Sequence, residues 1–388
     1  MKYLTLEDIS VSISSGITPS RSNKKFWNNG IYPWLKTEQI GAFEIKETSE
    51  HITQEAIDST SIKIYPKNTI SIAMYGEGET RGKVSILKAE MSTNQACCNV
   101  IINEKLADYR FVYYWLKNNY LQLRGLSSGV RKNLNTQIIS AFQIPNCSIQ
   151  EQSKKAELLY TLDKKISINN SIISKLEEMA KTIYEYWFLQ FDFPNHEGKP
   201  YASSGGAMKY SEELGREIPI DWEVKYVKHF CEVQTGSEDA NFATPHGRYK
   251  FFTCAQETYQ CDIPAFEGHA ILIAGNGDFN VKHYSGEFNA YQRTYVLLPK
   301  KQNYALLYFV VQQRITYFKK GSNGSIVKFI RKADVENIPL PYPKDTKMFD
   351  TLNHFILMKE QKMSENQKLA QLRDWLLPML MNGQARVE

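Results

Sequence analysis

Long apolar runs are missing from this sequence: nothing approaches the roughly 18 consecutive apolar residues of a membrane-spanning helix. The opening MKYLTLEDIS lacks the basic-then-apolar order of a secretory signal, so the expected location is the cytoplasm, with no membrane partner. Cysteine is sparse. Cys97, Cys98, Cys147, Cys231, Cys254 and Cys261 form no CxxC pair, which points to free thiols in a reducing compartment. His229, His246 and His269 interleave with the last three of these, yet paired ligands at about two-to-four-residue spacing are absent, so packing or surface roles are expected and no metal site is. Catalytic signatures are missing too. GEGETRG at 76–82 is neither a Walker A sequence nor a full GxGxxG between strand and helix. The Glu-x-Lys triplets at Glu197–Lys199 and Glu223–Lys225 stand without the rest of a nuclease core, and the Asn/Asp-Pro-Pro-aromatic signature of amino-methyltransferases does not occur. No catalytic residue is expected in this chain.

What is present is enough apolar material, 42% of 388 residues, for two or three domains. The net charge of +5 is unevenly placed. Residues 1–148 carry 17 Lys and Arg against 13 Asp and Glu, and residues 222–343 carry 14 against 11. Between them 149–191 balances at 6 and 6, while 192–221 is acidic at 3 against 6. Two basic lobes around a neutral or acidic middle suit lobes that approach phosphates.

The chain also repeats itself. KISINN at 165–170 returns as KMSENQ at 362–367, which is 197 positions later. Other matches follow in the same order. Asn94-Gln95-Ala96 and the run Val100, Ile101, Ile102 resemble Asn289-Ala290-Tyr291 and Val296, Leu297, Leu298. Tyr109 and Tyr113 match Tyr304 and Tyr308, and each half leads to an Ile-Pro, at Pro145 and Pro339. The unit is a mixed domain followed by a long helix, used twice. Its division reads 1–148, first domain; 149–191, first spacer helix; 192–221, connector; 222–343, second domain; 344–388, second helix and C-terminal segment.

Heptad spacing supports the helices. Leu159, Ile166, Ile173, Ala180 and Trp187 fall seven apart, with Leu162, Asn169, Leu176 and Ile183 as the companion row. The second helix repeats this with Phe349, Ile356, Met363, Ala370 and Leu377, beside a less apolar row of Leu352, Lys359, Asn366 and Arg373. The helices are expected to pair through Leu159, Leu162, Ile166, Asn169, Ile173, Leu176, Ile356, Met363, Asn366 and Ala370. Asn169 and Asn366 either fix register inside the seam or lie at its solvated edge.

Short β-rich runs at 31–35, 69–74, 84–87, 100–102, 249–253, 270–274 and 294–298, with helices at 109–118 and 304–317, predict an α+β fold. The turns between them carry groups suited to DNA. Candidates are Thr18, Ser20 and Arg21 after Gly16; Lys36 and Thr37; Tyr75, Glu77, Arg81 and Lys83; Ser128, Arg131 and Lys132. The second-lobe candidates are Asn276, Asp278, Arg293, Asn323 and Lys328.

SSGITPSRSNKKFWNNGIYPWLKTEQI at 14–40 resembles the opening of the target-recognition domain in specificity subunits of type I restriction-modification systems. YEYWFLQFDFPNHEGKPY at 184–201 with ELGREIPIDWEV at 213–224 is similar to that family's central joint, and LLPMLMNGQARV at 376–387 to its ending. The second lobe departs from the pattern: Thr235-Gly236-Ser237 lacks the Thr-Pro pair, and Tyr249-Lys250-Phe251-Phe252 stands where the first lobe has Ile31-Tyr32-Pro33-Trp34.

The resemblance implies two tandem α/β target-recognition domains separated by two long helices in an antiparallel coiled coil, a pseudo-twofold repeat. It implies a non-catalytic specificity subunit of a host-defence restriction system. Each domain would read half of a bipartite, asymmetric double-stranded DNA site, and the helices would set the gap and dock two methyltransferase (M) subunits. Restriction (R) subunits complete the assembly. S-adenosylmethionine, ATP and Mg belong to those partners, with no cofactor in this chain. A fused methyltransferase or nuclease, and an adaptor whose lobes do not read sequence, are the rival readings.

Overall fold

A computed structural model describes residues 2–76, 78–127, 133–320 and 329–385. It contains two compact units: Met1–Ser167 with Asn366–Glu388, and Ile168–Glu365. Each unit is a lobe of mixed sheet and helix carrying part of both long helices, Ile149–Tyr184 and Met348–Met381.

In the first unit the strands Ser10–Ser15, Cys97–Ile102, Ile70–Ala73, Val84–Leu87 and Glu44–Ile45 lie side by side in that order. All neighbours are antiparallel except the last pair. A smaller sheet joins Glu50–Ile52, Tyr32–Leu35 and Ser92–Thr93. Ile70–Ala73 and Val84–Leu87 are apolar or small and wholly buried, as strands covered on both faces must be. One cover is the helix Tyr109–Asn118, capped by the Asp108 carboxylate and buried from Phe111 through Leu116. Leu159 of the first long helix and Leu377 of the second close the same core.

The second unit has six strands in the order Val233–Thr235, Thr294–Leu297, Phe266–Ala274, Val281–Ala290, Tyr249–Phe252 and Tyr259–Cys261. The helix Tyr304–Lys320 covers it, and Ala180, Tyr184, Phe349, Leu352 and Ile356 of the long helices enter its core. The first long helix ends in a π-turn, Glu185–Leu189, followed by Phe191 at φ 61°.

Hydrogen bonding confirms the duplication and corrects its register. Ile13 faces Val100 as Val233 faces Leu297, so Val100 corresponds to Leu297 and not to Val296. Leu35 lies beside Thr93 as Phe252 lies beside Ala290, which matches Asn94-Gln95-Ala96 with Tyr291-Gln292-Arg293, two residues beyond the expected triplet. Trp34 sits opposite Glu50 as Phe251 sits opposite Tyr259. The equivalent of Tyr249–Phe252 is therefore Tyr32–Leu35, one residue on from the expected alignment. Leu6 donates to the Phe142 carbonyl as Val227 does to Ile338, and Tyr3 pairs with Pro145 as Val224 pairs with Pro341, so the repeated proline is Pro341 and not Pro339. Runs of interchangeable apolar residues align equally well at several offsets. A one-residue slip in a strand turns every side chain to the other face, so pairing decides.

Candidate nucleic-acid interface

In the first lobe, the strands Ser10–Ser15 and Ile70–Ala73 finish, and Val84–Leu87 and Cys97–Ile102 begin, at one end of the sheet. The segments 16–21, 74–76 with 78–83, and 94–96 therefore emerge together. Gly16 makes the closest approach: its N–H donates to the Cys97 carbonyl at 3.1 Å, and a Cβ there would lie 2.1 Å from the Thr93 carbonyl oxygen. Asn94 donates to the Leu35 carbonyl at 2.9 Å, which brings Lys36 and Thr37 to the same end. Leu134 donates to the Met74 carbonyl at 3.1 Å. Thr18, Lys36, Tyr75, Arg81 and Lys83, read from separate parts of the sequence, thus share one corner of the fold.

Their chemistry differs. Thr18 donates its hydroxyl to Gln95 Oε1, and Ser20 shares a hydrogen bond with Ser22. The Arg21 guanidinium lies 3.8 Å over the Trp27 ring and 4.8 Å over the Trp34 ring, and it pairs with Glu50. Lys36 reaches the same carboxylate at 2.8 Å and Glu38 at 2.7 Å. The Arg21 guanidinium, followed by the Lys36 ammonium, holds the Glu50 carboxyl below its ordinary range, and Glu38 with Glu50 raises Lys36. These cations already serve the lobe. Lys83 has a looser partner in Glu79 at 3.6 Å, and Arg81 is half-buried. Thr37 opens a short 3-10 turn, and Tyr75 is exposed. Glu77, Ser128, Arg131 and Lys132 lie outside the described residues.

The second lobe builds the same end. Gly236 donates to the Thr294 carbonyl at 3.3 Å, and a Cβ there would lie 1.8 Å from the Ala290 carbonyl oxygen. The segment that starts at Gly275 stands where the one that starts at Met74 does, since Ile271 and Ile70 occupy equal places opposite Leu297 and Val100. Ile330 donates to the Gly275 carbonyl at 2.8 Å, as Leu134 does to Met74. Asn276 bridges to Phe329, Asp278 accepts from Gln256 at 2.7 Å, and Arg293 is exposed with no ion pair among the described residues. Asn323 and Lys328 lie outside the described residues. Sequence reading missed Gln95 and Gln292, which occupy the equivalent turn in each lobe; the 197-residue offset of the helical repeat, carried back to this turn, finds them.

The helix pair is more polar than its apolar heptads suggest. In the first unit Leu159 is buried, Leu162, Ile166 and Ala370 are half-buried, and Asn366 Nδ2 donates to the Ile166 carbonyl at 3.4 Å. Arg373 pairs with Asp163 at 2.5 Å. In the second unit Asn169, Leu176 and Ile356 are buried and Ile173 is half-buried. Lys359, 7% exposed, pairs with Glu177 at 3.1 Å. Within each unit, advancing along one helix means retreating along the other, so the helices run antiparallel. Met363, expected in the seam, is 50% exposed. Lys359 and Arg373, from the row judged less apolar, turn inward because Glu177 and Asp163 accept their charged heads while their stems pack.

Buried carboxylates dock each lobe on its helices. Glu44 receives Lys164 and the Tyr160 hydroxyl at 2.7 and 2.6 Å. Glu360 receives Ser285 at 2.5 Å, His283 at 2.7 Å and the Tyr304 hydroxyl at 2.6 Å. Burial pushes both carboxyls up, but the donors outweigh it and hold each below its ordinary range.

Among the described residues no cluster of three or more His, Cys, Asp or Glu could hold a metal ion, and no helix is long and apolar enough to cross a membrane.

A family model described as "Type I restriction modification DNA specificity domain" matches residues 1–178 and 219–372. The specificity subunit of the type I restriction enzyme EcoDI, from Escherichia coli, is 35% identical over 179 residues, 44% of this chain and 40% of that protein's length. The MjaIX specificity subunit from Methanocaldococcus jannaschii is 27% identical over 415 residues, covering 97% of this chain and 91% of that one. Among solved structures, the type I restriction-modification S subunit from M. genitalium superposes with a TM-score of 0.66 at 17% identity, over 98% of this chain and 95% of that one, a likeness of fold.

Proposed function

The chain belongs to the type I restriction-modification DNA specificity family, and from that premise we propose that its two lobes each read one half of a bipartite, asymmetric duplex site. One observation carries this reading: both lobes gather equivalent turns, rich in hydroxyl, amide and cationic groups, at the same end of their sheets. Cations such as Lys83 and Arg293 supply phosphate contacts, and neutral polar groups supply base contacts. The two long helices hold the gap and dock two methyltransferase subunits; exposed Ile168, Met179, Leu372 and Trp375 offer apolar surface for that contact. The chain performs no chemistry. S-adenosylmethionine, ATP and Mg act in the methyltransferase and restriction subunits.

Sequencing methylated adenines in cells that express the chain with its methyltransferase subunits tests the proposal. A two-part motif that vanishes without the chain is expected. Methyl transfer by the purified chain alone, or methylation with no sequence preference, overturns it.

A further inference from the structure

Gln95 and Gln292 stand at the same point of the two lobes, in the turn that follows the strand position beside Leu35 in one and Phe252 in the other. Both are exposed at the loop end of the sheet. Each touches the segment that follows the close-packed glycine, Gly16 or Gly236. Gln95 Oε1 accepts the Thr18 hydroxyl proton. Gln292 donates its backbone N–H to the Glu238 carbonyl at 2.9 Å and its side-chain Nε2 to Asp239 Oδ1 at 2.7 Å.

A free glutamine amide offers a donor and an acceptor side by side and matches adenine N7 and N6 in the major groove. A tethered amide offers only what the tether leaves over. An ionised carboxylate accepts and never donates. Asp239 therefore holds Nε2 on the protein side and leaves Oε1 as the group turned to solvent. The Thr18 hydroxyl, donating to Oε1, leaves Gln95 with Nε2 outward. The two lobes thus present opposite polarity at equivalent places.

We propose, resting on the reading of each lobe as a half-site reader, that Gln95 and Gln292 are paired specificity-determining residues, and that Asp239 sets the polarity of Gln292. Gln292 accepts from an amino-bearing base, adenine N6 or cytosine N4. Gln95 donates to an acceptor on its own base. Tethering also lowers the rotamer entropy lost on binding, so neither side chain must be ordered anew.

The test uses the full chain co-expressed with its methyltransferase subunits, with the methylated motif read by sequencing. In the Asp239→Asn variant the new amide can either accept from Gln292 Nε2 or donate to Gln292 Oε1, so the polarity that Gln292 presents to the DNA is no longer fixed. One position of one half-site is expected to widen from adenine or cytosine to admit guanine or thymine on the contacted strand, while the other half-site keeps its sequence. Gln292→Ala relaxes that same position about tenfold. Gln95→Ala relaxes one position of the other half-site only. An unchanged motif in Asp239→Asn and Gln292→Ala overturns the inference. So does loss of methylation at both half-sites, which would assign Gln292 a structural role. A wild-type chain that imposes no motif fails the half-site reading itself, a result separate from these.

Discussion

Arg373 and Asp163 meet at 2.5 Å inside the first unit, one from each long helix, with the Tyr114 hydroxyl on the second carboxylate oxygen at 2.7 Å. The Asp163 side chain is 2% exposed and that of Arg373 17%. The pair ties the two helices to each other and to the helix Tyr109–Asn118, so it fixes where the lobe sits on its support. Removing Arg373 leaves the buried Asp163 carboxylate with only the longer Lys117 contact at 3.8 Å and the Tyr114 hydroxyl, which costs more than the net worth of the pair.

Arg373→Met is therefore expected to lower stability by about 3 kcal/mol. The double variant Asp163→Asn with Arg373→Met should recover a large part of that loss. Urea unfolding of the full chain, followed by far-UV circular dichroism, reads both; equal and additive losses would refute the coupling.

Acid should loosen the second unit through Glu360. Its carboxyl lies below the ordinary value of 4.5, because His283, Ser285 and Tyr304 outweigh the effect of burial. Folding then favours the ionised form, so the contribution is complete above about pH 4.5 and is lost as pH falls through the lower folded value. The stability difference between wild type and Glu360→Gln should be widest at neutral pH and shrink below that point. Thermal melts across pH 3–7 measure it. In the first unit Glu44 and Asp108, also held low, act with the same sign.

Gly16→Ala and Gly236→Ala place a methyl group 2.1 and 1.8 Å from backbone carbonyl oxygens. Backbone on both sides cannot yield cheaply, so each is expected to cost about 1–3 kcal/mol and to displace the turn that follows. Each variant should blur one half-site of the methylated motif and leave the other intact.

Arg21 and Lys83 should separate stability from binding. Arg21→Ala removes a stacked, ion-paired guanidinium and is expected to lower the melting temperature, with a cation–π loss of about 0.5–1 kcal/mol. Lys83→Ala should leave melting unchanged, weaken DNA binding by the assembled complex across sequences, and reduce the salt slope by about one.

Lengthening both helices by four residues at matched positions adds about 6 Å of helix, at 1.5 Å per residue. The methylated motif is expected to keep both half-site sequences and to widen its gap by about two base pairs at 3.4 Å each. A changed half-site with an unchanged gap would remove the helices from the spacing role.

Much of the candidate site was legible early. Thr18, Arg21, Tyr75, Arg81, Lys83, Asn276 and Asp278 stood out as turn residues beside glycines, and the structure brings the first-lobe members together at one end of a sheet and the second-lobe members at the equivalent end of another. Gln95 and Gln292 did not stand out. A lone glutamine in a turn has no signature, and matching Asn94 with Asn289 hid their equivalence. Two expectations failed for related reasons. By sequence alone an apolar Met363 suits the seam, and the charged Lys359 and Arg373 make their row the less apolar one. The acids that accept those charges lie about 180 to 210 positions away in sequence.

The sequence by itself determined that the chain is a duplicated α+β unit with two long helices, because heptad spacing, β-rich runs and a 197-residue repeat are local or periodic properties that survive without contacts. Register, the inward row of the second helix, the cations committed to Glu50 and the convergence of the turns were decided only by the tertiary structure. Each depends on which distant hydrogen-bond or charge partner is reached, and a buried polar group left without one is too costly to keep.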